Sequence, residues 1–197
     1  DLNDSDLTNS PFQLFQNWMD KAVQLVKKDA NAFVLSTINK QGFPSSRVVL
    51  LRGIDKEAFC FFTNYTSNKA SNLDGNSKVS MNFFWPDLER QVRIEGSIER
   101  CSKEYSDDYF ESRPYSSKIG AWASNQSEII KSREELEKNV IFYQKKFPVK
   151  VPRPDFWGGY KISPSSIEFW KGRSNRLHDR FIYNKNKNGW EIDRLSP

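Results

Sequence analysis

Hydrophobic and polar positions alternate with two different periods along the chain. Ser10-Pro11 reads as a helix N-cap and first helical residue. Phe15, Trp18, Ala22 and Leu25 then recur at helical spacing and predict a helix to about residue 29. From 32 to 100 the period shortens. "AFVLSTI", the turn "NKQG", "SSRVVLLRG", "AFCFFTN", "KVSMNFFW" and "RQVRIEGSIER" read as strands, with tight turns and one short helix near 67–74 between them. Helical texture returns where Ser102 caps a helix ending near Arg113, stopped by Pro114, and in a charge-laced helix over about 127–147. A Pro-rich connector, "FPVKVPRPD", leads to four last strand segments: "GGYKISP", "SIEFWKG", "DRFIYNK" and "WEIDRL". Asn188-Gly189 is the hairpin turn within that group. So many closely spaced strands predict a mainly β, α+β fold, a largely antiparallel barrel or sandwich with flanking helices. No repeat and no linker divides the chain. Residues 1–197 therefore read as one domain, with 1–10 as a flexible lead-in.

Composition narrows the function classes. Fifteen Phe, seven Tyr and six Trp supply core material and argue against disorder. Apolar runs such as "FVLSTI" and "VVLL" are too short to span a bilayer, and no secretory signal opens the chain. Cys60 and Cys101 are the only cysteines and His178 the only histidine. That is too little for a disulfide framework or a Cys/His zinc centre, so no metal site is expected, with carboxylate-bound Mg²⁺ left open, and the setting reads as cytoplasmic. An organellar leader ahead of Asp1 stays open. The net charge of +5 suits a phosphorylated ligand as well as a nucleic acid. The aromatics, however, lie in apolar runs such as "FCFF" rather than interleaved with basic residues, which disfavours a nucleic-acid-binding barrel.

Several constellations can carry chemistry. In "YFESRP", Tyr109 and Arg113 stand four apart, so on a helix both can point at one anion, and Ser117 adds a hydroxyl in the following turn "YSSKIG". Arg47 and Arg52 bracket an apolar run; on a regular strand their odd spacing puts them on opposite faces, serving different partners. Thr63, Ser67 and Lys69 surround the start of the short helix, a candidate anion site. Neither GxxxxGK[ST] nor GxGxxG occurs. Gln91 shares the polar face of its strand with Arg93 and Glu95, where an amide can read the edge of a heterocycle. If 176–180 is extended, alternation places Arg176, His178 and Arg180 on one face and Leu177, Asp179 and Phe181 on the other. An imidazole among guanidiniums can hydrogen-bond an anionic substrate or accept a proton.

Taken in order, "SRVVLLRG", "FFTN", "SNKA", "FFWPDLERQVRIEG", "YFESRP", "SKIGAWASNQS", "FWGGY", "IEFWKG", "NRLHDRF" and "RLSP" resemble the pyridoxine (pyridoxamine) 5′-phosphate oxidase family from about residue 11 to the end. The resemblance implies an FMN-binding split barrel and a homodimer with FMN sites at the subunit interface. It also implies oxidation of pyridoxine or pyridoxamine 5′-phosphate to pyridoxal 5′-phosphate. In that reaction hydride passes from C4′ to flavin N5, and O₂ reoxidises the flavin to give H₂O₂. Arg47, Val48, Val49, Leu50, Leu51 and Arg52 then look like FMN contacts, as do Phe62, Thr63, Asn68, Lys69, Gln91, Gln126, Ser127, Trp170 and Arg180. Tyr109, Arg113 and Ser117 look like the substrate-phosphate site, with Arg52 and Leu177 also facing substrate. Arg176 and His178 look like the catalytic pair over the flavin. Two positions depart from the family: Arg52 replaces a common Lys, and Asn68 replaces an Arg that helps hold the FMN phosphate. The reading kept beside the oxidase is a split-barrel protein that binds flavin or pyridoxal phosphate without turnover.

Overall fold

The computed structural model describes residues 1–26 and 28–197. Helix α1 (Pro11–Leu25) turns Leu14, Phe15, Trp18, Met19 and Ala22 inward, an apolar stripe at i, i+3, i+4 spacing. It closes where Val26 N–H donates to Ala22 O at 2.7 Å. The expected run to residue 29 includes Lys27, which lies outside the described residues. Leu25, counted with the stripe, is exposed at the helix end.

The strands are β1 (Ala32–Ile38), β2 (Pro44–Leu50), β3 (Gly53–Asp55), β4 (Ala58–Asn64), β5 (Lys78–Trp85) and β6 (Arg90–Arg100), then β7 (Trp157–Lys171), β8 (Asp179–Asn186) and β9 (Gly189–Arg194). They form one antiparallel sheet in the order β2-β1-β5-β6-β7-β4-β3, and β8 and β9 extend it from the C-terminal half of β7. The two ends of that order, β2 and β3, are joined in the chain by Leu51 and Arg52 alone. A two-residue link reaches only a few ångströms, so the sheet has to curl until its ends meet. Arg52 N–H accordingly donates to Cys60 O on β4 at 2.8 Å. This is the barrel that the strand texture predicts.

α1 fills the barrel. Phe15 packs between Phe59 (ring centroids 5.0 Å) and Phe83 (5.1 Å), and Trp18 meets Phe169 edge-on at 5.3 Å. Those phenyl rings are fully buried, each contributing about 2–3 kcal/mol of hydrophobic stabilisation.

The sequence suggests two strands over 158–172, split at Pro164. The structure has one, because the break is a bulge. Gly96 pairs with Pro164 and Glu95 with Ser166, leaving Ser165 as an extra residue. Upstream, Tyr160, Ile162 and Pro164 face the core; downstream, Ile167 and Phe169 do. Gly96 is required there, since a Cβ would stand 2.9 Å from Pro164 Cα and closer still to Ser163 O.

Helix α2 (Asn68–Gly75) links β4 to β5. Helix α3 (Lys103–Ser112) is capped as expected, Ser102 Oγ accepting from Tyr105 N–H at 3.1 Å. Residues 115–120, expected as a turn, belong to helix α4 (Tyr115–Ala123). Its serines and Gly120 are weak helix formers, and burial of Ile119 and Ala123, four apart, overrides them. Helix α5 spans Arg133–Lys146, starting later than expected. Phe110, Ile119, Val151 and Trp157 form a second core under these helices. Residues 1–10, expected as a flexible lead-in, make defined contacts: Leu2 is buried, and Tyr183 Oη donates to Thr8 O at 3.0 Å. Among the described residues no helix is long and apolar enough to cross a membrane.

Candidate active site

The crossing at Leu51–Arg52 brings the end of β2, the end of β4 and the start of α2 around a recess of about 570 Å³. Arg47, Arg52, Lys69 and Arg113 all line it, and among the described residues no carboxylate does. Arg47 and Arg52 were expected to serve different partners. They share this recess because β2 stops at Leu50 and the chain bends before Arg52, so strand alternation does not reach it. Arg47 is fixed by three bonds: Nη1 donates to Leu35 O (3.0 Å) and Thr37 Oγ1 (2.9 Å), and Nη2 to Ser45 Oγ (2.8 Å). Lys69 is buried, its Nζ donating to Thr63 Oγ1 and Gln126 Oε1 at 2.9 Å and to Ser67 Oγ at 3.2 Å. Burial, and after it the charge of Arg47, pushes the Lys69 pKa down to about 8. The sequence-level anion site at Thr63, Ser67 and Lys69 is thus assembled, with Gln126 added to it.

Arg113 is not a helical neighbour of Tyr109. It caps α3 in an extended conformation, as a residue before proline is driven to do. Its guanidinium lies 4.5 Å over the Trp157 ring, and burial lowers its pKa. Its Nη1 is buried without a hydrogen-bond partner among the described residues. A buried charged donor left unpaired is costly, so the site is built for an acceptor from outside. Ser117 joins Arg113 in an adjoining recess of about 380 Å³. Beside these cations stands a flat aromatic wall: Phe62 stacks on Tyr109 at 3.8 Å, and Trp157 lies within 14° of parallel to both.

Val48, Val49 and Leu50 also line the recess, and Asn68 and Ser127 face it, Asn68 N–H donating to Ser127 Oγ at 3.2 Å. Leu51, expected among the contacts, is instead buried in the core. Trp157, Ser45 and Ser46 were missed. Trp157 was legible only as part of the quoted "FWGGY". The glycines after it let Tyr65 and Cys101 lie against β7, where a Cβ on Gly159 would meet Cys101 Sγ at 2.9 Å.

None of Gln91, Trp170, Arg176, Leu177, His178 or Arg180 lines this recess. Gln91, Trp170 and Arg180 instead form a row of directly paired residues across β6, β7 and β8. Residues 176–178 are not extended. Asn175 (φ 59) and Arg176 (φ 61) are left-handed, ending a short 3-10 turn before β8 begins at Asp179. That breaks the alternation, so Arg176, His178 and Arg180 do not share one strand face. Arg180 Nε donates to the buried Glu168 Oε1 at 2.9 Å, while the His178 ring packs on Trp170 at 4.6 Å. The chain therefore carries two groups of candidate residues on separate surfaces. One is a cationic, acid-free recess with an aromatic wall, suited to phosphorylated ring compounds; the other is a Gln/Trp/Arg/His surface.

Comparison with known proteins bears on this arrangement. A sequence profile described as Pyridoxamine 5'-phosphate oxidase matches residues 19–142, and one described as Pyridoxine 5'-phosphate oxidase C-terminal dimerisation region matches 157–197. A pyridoxine/pyridoxamine 5'-phosphate oxidase of Cytophaga hutchinsonii is 49% identical, covering 100% of this chain and 93% of its own. One of Bordetella pertussis is 51% identical over 95% of this chain and 90% of its own. Among solved structures, PhzG from Burkholderia lata, in complex with tetrahydrophenazine-1-carboxylic acid, superposes with a TM-score of 0.93 at 28% identity, covering 100% of this chain and 98% of its own. A pyridoxamine 5'-phosphate oxidase-related, FMN binding protein from Nostoc punctiforme has the same split-barrel fold. Its TM-score is 0.79 at 16% identity, over 95% of this chain and 98% of that one. With the profiles spanning both the barrel and the C-terminal strands, the chain belongs to the pyridoxine/pyridoxamine 5'-phosphate oxidase family.

Proposed function

We propose that this oxidase works as an FMN-dependent homodimer whose two sites are each completed by residues from both copies. The observation that carries the reading is the acid-free recess with four cations and the unpaired Nη1 of Arg113. A phosphorylated cofactor and a phosphorylated substrate are the chemistry such a donor set fits. Arg47, Thr63, Lys69, Gln126 and Ser127 hold FMN, with Val48, Val49, Leu50 and Phe62 as apolar wall and Asn68 beside the phosphate. Tyr109, Arg113 and Ser117 take the substrate phosphate, and Arg52 faces the substrate. From the second copy, Gln91, Trp170 and Arg180 complete the cofactor site, while Arg176, Leu177 and His178 approach the substrate. Bound FMN would supply the two-electron acceptor for hydride from C4′ of pyridoxine or pyridoxamine 5′-phosphate, and O₂ would take the electrons as H₂O₂. The alcohol substrate also gives up its hydroxyl proton, and the amine substrate passes through an imine that water hydrolyses with release of ammonia. The protein's part is to anchor the phosphate, offer the aromatic wall as a flat packing surface and orient C4′.

The separation of the two residue groups within one chain supports sharing between copies, and complementation tests it. Arg113→Ala and His178→Ala each inactivate both sites of their own homodimer. Co-expressed, they form hybrids in which one site carries both defects and the other none. Random pairing then restores roughly one quarter of wild-type turnover. Hybrids as inactive as their parents would overturn the shared site.

A further inference from the structure

The turn that bears Arg176 and His178 is held from outside the site. Consecutive left-handed residues such as Asn175 and Arg176 persist only where the surroundings impose them. Here the restraint comes from the start of the chain. Asp179 Oδ2 accepts from Leu2 N–H and from Arg173 Nη1, both at 3.1 Å. Arg173 Nη1 also reaches Asp1 Oδ1 at 2.5 Å. Arg194 lies on the other side, with Nη1 3.7 Å from Asp179 Oδ1 and Nη2 2.9 Å from Asp4 Oδ2. Leu2 is 2% exposed, so this strap is anchored in the core rather than laid on the surface.

With Arg173 fixed, its backbone N–H donates to His178 Nδ1 at 3.1 Å. A ring nitrogen that accepts a hydrogen bond carries no proton, so the neutral imidazole bears its proton on Nε2. Nδ1 has its lone pair engaged and Nε2 has none to offer. We propose that Asp179, Arg173 and the Asp1–Leu2 strap are positioning residues that fix His178 as an Nε2–H hydrogen-bond donor. His178 then orients the substrate and takes no proton from it. The catalytic half of this statement rests on the proposed function, in which His178 meets the substrate.

His178 is the sole histidine, so nitrogen-15 correlation spectra of the FMN-loaded protein report on it without assignment. At a pH where the imidazole is neutral, Nδ1 should be unprotonated and Nε2 protonated. Asp179→Ala should give a mixture of tautomers and lower kcat about tenfold, the equivalent of one charge-assisted hydrogen bond. KM should hardly change, because the substrate phosphate is held elsewhere. Asp179→Asn, which still offers an oxygen to Leu2 N–H and Arg173, should recover most of the loss. A proton on Nδ1, a tautomer mixture in the wild type, or Asp179→Ala with wild-type tautomer and kcat would each overturn the proposal. If Asp179→Ala does not fold, the wild-type spectrum alone decides. Adding pyridoxal 5′-phosphate separates the two readings: the expected tautomer with His178 signals that do not move leaves the strap intact and defeats the contact with substrate.

Discussion

Replacing Lys69 with methionine sets two effects of opposite sign against each other. Burial and the Arg47 charge lower the pKa of this lysine from 10.5 to about 8. At about 1.4 kcal/mol per unit, holding it charged at neutral pH costs the ligand-free protein roughly 3 kcal/mol. Methionine keeps the packing of the stem and removes that penalty. Thr63 Oγ1, Gln126 Oε1 and Ser67 Oγ then lose a donor, giving back about 2–3 kcal/mol together. The net expectation for ligand-free Lys69→Met is between no change and a gain of about 1 kcal/mol, read by urea denaturation. Binding of FMN moves the other way. It loses a charge-assisted hydrogen bond worth roughly 1.5–3 kcal/mol, or ten- to a hundredfold in Kd by fluorescence titration. The pH dependence carries the same sign logic. Between about 8 and 10.5 the unfolded chain holds a proton that the folded chain has released. Wild-type stability from this group therefore rises with pH across that window, and the rise is absent in Lys69→Met. FMN affinity of the wild type falls as pH climbs past about 8. A variant destabilised by more than about 2 kcal/mol with an unchanged Kd for FMN would refute the argument.

Two further outcomes follow from single positions. Asn68 lines the cationic recess with only its short amide, so Asn68→Arg should tighten FMN about tenfold or more by adding a charge-assisted bond; equal dissociation constants for the two proteins would sink this. Gly96→Ala drives a Cβ into the backbone of Ser163 and Pro164 and should destabilise by about 2–4 kcal/mol. A loss below about 1 kcal/mol in denaturant unfolding would show that the bulge yields more easily than its packing implies.

Strand texture made the barrel legible, because Val, Ile and Phe alternate wherever one face is buried. What closes the barrel was not legible. Nothing local at Leu51–Arg52 says that the two ends of a curled sheet meet there, and that meeting puts Arg47 and Arg52 in one recess. Periodicity also failed at Arg176, where alternation assumes strand dihedrals and the backbone is left-handed. Helix α4 hid behind poor intrinsic formers, since its stability comes from tertiary burial of Ile119. The cations themselves were easier to read. Lys69 beside a helix start and Arg113 before a proline carry their chemistry in their immediate neighbours.

Ser165 acts on β7 as a single inserted base acts on a reading frame. Even-numbered side chains point to the core before it and odd-numbered ones after it. Delete the residue and Ser166 follows Pro164 directly, so the pairs with Gly96 and Glu95 close into a regular ladder with Ile167 and Phe169 still inward. What disappears is the bulge, with the bend and extra twist it gives the strand ahead of Glu168 and Trp170. The side chain at 165 is exposed, and its one hydrogen bond, from Oγ to Glu95 O, is at the surface. Substitution there should pass almost unnoticed, whereas losing the residue would straighten the strand that carries Trp170 to the second surface of the site. At this point in the chain, the extra residue sets the course of the strand rather than which side chains reach the core.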